Sequence, residues 1–110
     1  FEFGADELDE KNWVVDFGGL KELEIWLRSN FDHKTLVASD DPQFSEFELL
    51  NNNGIIDMVV VESTGAEMFA KMAMEYSSKM IKEKYGDRCW VESVTVREHG
   101  ANSAKCKRQN

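Results

Sequence analysis

Histidine and cysteine are scarce in this chain and absent from its first part: it has two of each in 110 residues, and none before His33. The two cysteines, Cys89 and Cys106, stand at a spacing that fits no zinc pattern, so the chain by itself offers no metal site. With no disulfide framework to read, they are expected to be reduced thiols of a cytoplasmic protein. Proline is rarer still, a single residue against seven glycines, which argues against a linker-rich or disordered chain. No apolar run approaches the ~18 residues of a membrane span. Residues 1–15 hold five acidic groups, unlike a targeting peptide. Positive charge is also in deficit. A net charge of −8 disfavours nucleic acid or an anionic membrane as the main partner, because Lys and Arg must neutralise phosphate.

What is present suits one globular domain over residues 1–110, with enough apolar content for a single core. There is no internal repeat. Phe1-Glu2-Phe3 reads as the end of a strand that begins before it, and residues 1–4 and 12–15 suggest a hairpin around the acidic stretch Asp6 to Asn12. Asp16 suits a helix N-cap, its carboxylate accepting a free backbone N–H of the first turn. Leu20, Leu23, Ile25, Trp26 and Leu27 then recur at helical spacings, predicting a helix over about 18–30. Residues 38–46, with the one proline, read as a loop. Asn51-Asn52-Asn53-Gly54 signals a turn before a strand over 55–61. Thr64 and Glu67 have capping-box spacing, ahead of an apolar stripe, Met68, Phe69, Met72, Ala73, Tyr76, Met80 and Ile81, that predicts a helix to about Tyr85. Its methionines read as core packing. Gly86 should end that helix. From Trp90 to Glu98 the alternation predicts a strand with Trp90, Glu92, Val94, Val96 and Glu98 on one face. Such an order suggests an α+β fold, a sheet with both helices on one face.

Few residues carry chemistry. Glu98, at a strand end and in phase with Val94 and Val96, is expected to be partly buried. A carboxylate so placed needs donors, which a guanidine-like heterocycle edge would supply in pairs; the plain alternative is a solvated strand-end Glu. Asp32-His33 closes the first helix. A carboxylate can fix the tautomer of a neighbouring imidazole, and the pair could act as general acid and base; the plain alternative is a His that caps helix carbonyls. His99 is a weaker candidate. Capping accounts for Asp16, Thr64 and Glu67. Cys89 has only Arg88 as a basic neighbour, and Cys106 lies in a basic tail that reads as frayed, so neither is a good nucleophile.

Taken in order, Asp16-Phe17-x-x-Leu20-Lys21, Asp32-His33-Lys34-x-Leu36, Thr64-x-x-Glu67 and Val94-x-Val96-x-Glu98 resemble the 6-pyruvoyl-tetrahydropterin synthase family. That family includes the 6-carboxy-tetrahydropterin synthases of the queuosine pathway. The resemblance covers about Phe3 to Ala104. It implies a tunnelling fold (T-fold), an antiparallel sheet with two helices on one face, assembled into trimers and then hexamers with sites between subunits. It implies 7,8-dihydroneopterin triphosphate as substrate and a zinc-assisted elimination of triphosphate. Glu98 then matches the pterin anchor, Asp32 and His33 the acid/base pair supplied across an interface, and Thr64 the outer position of the helix-start motif.

The family's three zinc-binding histidines and its reactive cysteine would all fall upstream of Phe1. The chain is therefore expected to be the C-terminal portion of such an enzyme, with its first strand or strands truncated. The family often has Thr where His99 stands, and Thr64-Gly65-Ala66-Glu67 keeps only the outer pair of its usual motif. The expected activity is a 6-carboxy-tetrahydropterin synthase-type lyase. The alternatives are the 6-pyruvoyl product, a pterin-binding module without zinc, and an acidic interaction domain.

Overall fold

The computed structural model describes residues 1–109; Asn110, the last residue of the expected domain, lies outside them. The chain gathers into two compact units, one formed by Phe1–Leu23 with the chain from Ala66 onward, the other by Glu24–Gly65.

In the first unit an antiparallel sheet of three strands runs in the order β1 (Glu2–Ala5), β4 (Cys89–His99), β5 (Asn102–Lys107). The helix α3 (Ala66–Tyr85) packs on β4 and β5. Its buried face is Ala66, Ala70, Ala73, Met74, Ser77, Met80 and Ile81, and the sheet supplies Cys89, Val91 and Val94. Burying one side chain such as Ile81 or Val91 contributes about 1.5–3 kcal/mol. The expected stripe is thus offset: Met68, Phe69, Met72 and Tyr76 are half-buried, and small residues occupy the centre, where they let the helix approach the sheet. Ser77 is there without penalty because its hydroxyl donates to the Ala73 carbonyl at 2.6 Å. Gly86, at φ 66, ends the helix by donating its N–H to the Lys82 carbonyl at 2.8 Å.

The hairpin expected between residues 1–4 and 12–15 is not formed. β1 pairs with β4 instead, Phe3 opposite Val91 and Ala5 opposite Cys89. Residues 12–15 form no strand, because the Asp9 carboxylate gathers the N–H groups of Lys11 (2.9 Å) and Trp13 (3.0 Å) into a turn, with Asn12 at φ 63. The expected single face of β4 is also broken. Glu2 pairs with Ser93 and Phe3 with Val91, so two residues of β4 advance against one of β1. The bulge falls at Glu92, and just beyond it the alternation changes phase: Cys89, Val91 and Ser93 are buried, and so is Val94, next to Ser93. The basic tail is not frayed. It is β5, with Cys106 opposite Val94 and Ala104 opposite Val96.

A 3-10 turn, Phe17–Leu20, opens on Asp16, whose carboxylate accepts the Gly18 N–H at 2.8 Å as expected of an N-cap. The helix α1 follows over Lys21–Phe31 and carries the chain into the second unit. There β2 (Thr35–Ala38), α2 (Phe44–Asn52) and β3 (Met58–Val61) form a β-α-β unit, with β2 and β3 parallel and α2 in contact with both. The proline-bearing loop is therefore shorter than 38–46, and α2 and β2 are additions to the expected order. The Asn-rich turn holds, with Gly54 at φ 75, but the strand after it begins only at Met58. Three α-helices with an antiparallel sheet make this an α+β fold, and of the helices it is α3 that packs on that sheet. Among the described residues no helix is long and apolar enough to cross a membrane.

Candidate functional site

The end of α1 sets the geometry of Asp32 and His33. The Asp32 N–H still reaches back to the Arg28 carbonyl at 3.2 Å, and the Lys34 N–H reaches the Phe31 carbonyl at 3.4 Å. Between them His33 takes φ 57, the left-handed conformation that usually falls to glycine after a helix. That turn brings the adjacent side chains together, with His33 Nδ1 2.8 Å from Asp32 Oδ1. The separation fits an Nδ1–H donated to the carboxylate, which leaves Nε2 as the nitrogen able to take a proton. His33 thus turns to Asp32 rather than to the helix carbonyls. Its side chain is 93% exposed and that of Asp32 60% exposed, so the contact does little for stability.

The next residues are fastened to β3. Lys34 forms an ion pair with Asp57, and the Thr35 N–H donates to the Asp57 carbonyl at 2.8 Å. Sequence reasoning missed this pair. The residues are 23 apart, and they meet only because β2 and β3 run parallel in register from Thr35 opposite Met58.

Glu98 lies in the first unit, near the end of β4. It is exposed, not partly buried as the alternation suggested. Arg97 pairs with Ser103 and His99 with Asn102, so a second bulge leaves Glu98 out of register beside the Gly100-Ala101 turn. Bulges of this kind redirect a side chain. Among the described residues no donor engages the Glu98 carboxylate, so both oxygens are free to accept. His99 is likewise exposed.

Thr64, in the second unit, is exposed and does not close the expected capping box. Gly65 has φ 109, outside the helical region, so α3 begins at Ala66 and Thr64 stands one residue too early. Cys89 is 2% exposed, and burial pushes its thiol up, the Arg88 guanidinium opposing this only in part. That makes it a poor nucleophile. Cys106, half-buried on β5, is also a free thiol. Among the described residues no group of three or more His, Cys, Asp and Glu side chains could hold a metal ion, so the residues present do not fit the zinc site that the resemblance implies.

An α+β protein with an exposed Asp-His pair and an exposed strand-end carboxylate is the class that these features define. The model of the 6-pyruvoyl tetrahydropterin synthase family matches residues 1–109, and the chain belongs to that family. Among solved structures, an uncharacterized protein from Wolinella succinogenes is similar in fold, with a TM-score of 0.81 at 18% sequence identity, over 97% of this chain and 73% of the other. No curated protein matches significantly. Members of the family are lyases, and membership suggests tetrahydropterin-synthase-type activity.

Proposed function

We propose that this chain belongs to a 6-carboxy-tetrahydropterin synthase-type lyase that eliminates triphosphate from 7,8-dihydroneopterin triphosphate. The observation that carries the reading is the family match along residues 1–109, which supports the 6-pyruvoyl product equally. The pair at the end of α1 suits the chemistry. With Nδ1–H held by Asp32, His33 Nε2 takes a proton from the substrate side chain, and the Asp32 carboxylate stabilises the resulting imidazolium. Glu98 accepts paired N–H bonds from the pterin edge and orients it. Thr64 contributes a hydroxyl to the substrate. Any zinc in the reaction is held by ligands outside the described residues. Sites are completed across subunits of a homo-hexamer built as a dimer of trimers, in the cytoplasm.

Incubation of the longest natural form with zinc and 7,8-dihydroneopterin triphosphate tests this directly. Triphosphate with acetaldehyde is the expected result. Triphosphate alone indicates the 6-pyruvoyl product, and neither product indicates a pterin-binding module.

A further inference from the structure

The Lys34–Asp57 pair is attached to the segment that carries His33. On one side of His33, the Asp32 N–H is held by Arg28 of α1 at 3.2 Å. On the other, Lys34 is tied to Asp57 by its side chain, and Thr35 to Asp57 by the backbone at 2.8 Å. Asp57 is in turn secured from behind, because the next residue, Met58, donates its N–H to the Asn51 side chain of α2 at 3.0 Å. A non-glycine residue in the left-handed region persists only where its surroundings over-determine it. Here those surroundings are the end of α1 and the start of β3.

We infer that Lys34 and Asp57 are positioning residues for His33. On this inference the α2–β3 segment braces the turn so that the Asp32–His33 pair keeps its geometry. It rests on the proposed role of His33. Stability is a weak alternative explanation: the Lys34 and Asp57 side chains are 23% and 63% exposed, and such pairs contribute little to folding. Orientation is a stronger one, since a misplacement of about 1 Å at a reacting group can lower a rate by on the order of a hundredfold. The backbone bond from Thr35 to Asp57 does not depend on either side chain, so the fold should survive their replacement.

Two measurements test this. In the longest natural form, Asp57→Ala and Lys34→Met are expected to lower kcat about tenfold, with KM changed by less than about twofold and the melting temperature nearly unchanged. The exchanged pair, Lys34→Asp with Asp57→Lys, should recover most of kcat, because it restores the ion pair with its ends reversed. Independently of turnover, imidazole 1H–15N spectra read the brace. The His33 signal is identified by its absence in His33→Ala. Two-bond 1H–15N correlations should show His33 biased to the Nδ1–H tautomer in the parent protein and shifted toward the Nε2–H tautomer in Asp57→Ala. An unchanged His33 signal and an unchanged pH profile in Asp57→Ala would overturn the inference. Loss of the proposed activity in the parent protein would sink the functional reading alone and leave the spectral result standing.

Discussion

The left-handed turn at His33 sets conformational preference against chemistry within one residue. Its φ of 57 is open to glycine at no steric cost, while a residue with a Cβ gives up about 1–2 kcal/mol there, and a β-branched one more. Because the imidazole is almost fully exposed, replacing it removes little packing. His33→Gly is therefore expected to leave the urea midpoint unchanged or slightly raised, with turnover lost, and His33→Val to unfold about 1–2 kcal/mol more easily than His33→Gly. Equal midpoints for the two variants would show that the turn stores no strain. Cys89 gives a second prediction at this scale. Burial holds its folded-state value above the ordinary 9.0, so the neutral thiol is favoured more strongly in the folded protein than in the unfolded one. Its contribution is fully present below pH 9.0 and is lost as pH rises from there through the folded value. Unfolding titrations of the parent and Cys89→Ala should run parallel below that point and converge above it. The lysines and Tyr76, common to both proteins, cancel in the difference.

Elements whose signal is local could be read from the sequence, and those whose shape is set by a neighbour could not. α3 was legible because its apolar spacing and the glycine stop act within one segment. Gly86→Ala tests that stop: an added Cβ meets nothing within 4 Å, so only the φ of 66 resists it, at about 1 kcal/mol in denaturant unfolding. No destabilisation there would mean that the cap can adopt another conformation. The Asp16 cap was equally legible, its partner lying two residues away. In contrast, the N-cap of α2 is Gln43, whose side chain makes no capping bond, and β2 is four residues long, too short for periodicity to show. The sequence Asn-Ser-Ala-Lys-Cys-Lys of β5 is polar enough to pass for a tail, and only its pairing with β4 makes it a strand. Both bulges in β4 follow from its partners, β1 and β5, so the exposure of Glu98 could not be derived from the alternation. The same division holds at the site. Asp32 and His33 are adjacent and could be read together, while Lys34 and Asp57 meet through the β2–β3 pairing.

For the molecule as a whole, the exposure of the candidate residues bears directly on the proposed assembly. An imidazole 93% exposed works in bulk water, where a general base gains little from its surroundings. Glu98 is open in the same way. Large apolar side chains are exposed too, Phe17 at 82%, Ile55 at 67% and Leu49 at 60%. Assembly would cover such groups and exclude water, although each subunit brings a charge of −8 that opposes association at low salt. Specific activity of the longest natural form is thus expected to fall on dilution, and moderate salt should shift the dilution midpoint to lower protein concentration. Mixing gives a sharper test. His33→Ala and Glu98→Gln should each be inactive alone. If each site takes its acid/base pair from one subunit and its anchor from another, random reassembly of the two variants leaves about a quarter of sites with both residues intact. Co-refolding the variants in equal amounts should therefore recover roughly that fraction of parental turnover. A mixture as inactive as its components would place both residues of each site on one subunit, and with them the burden of excluding water from His33.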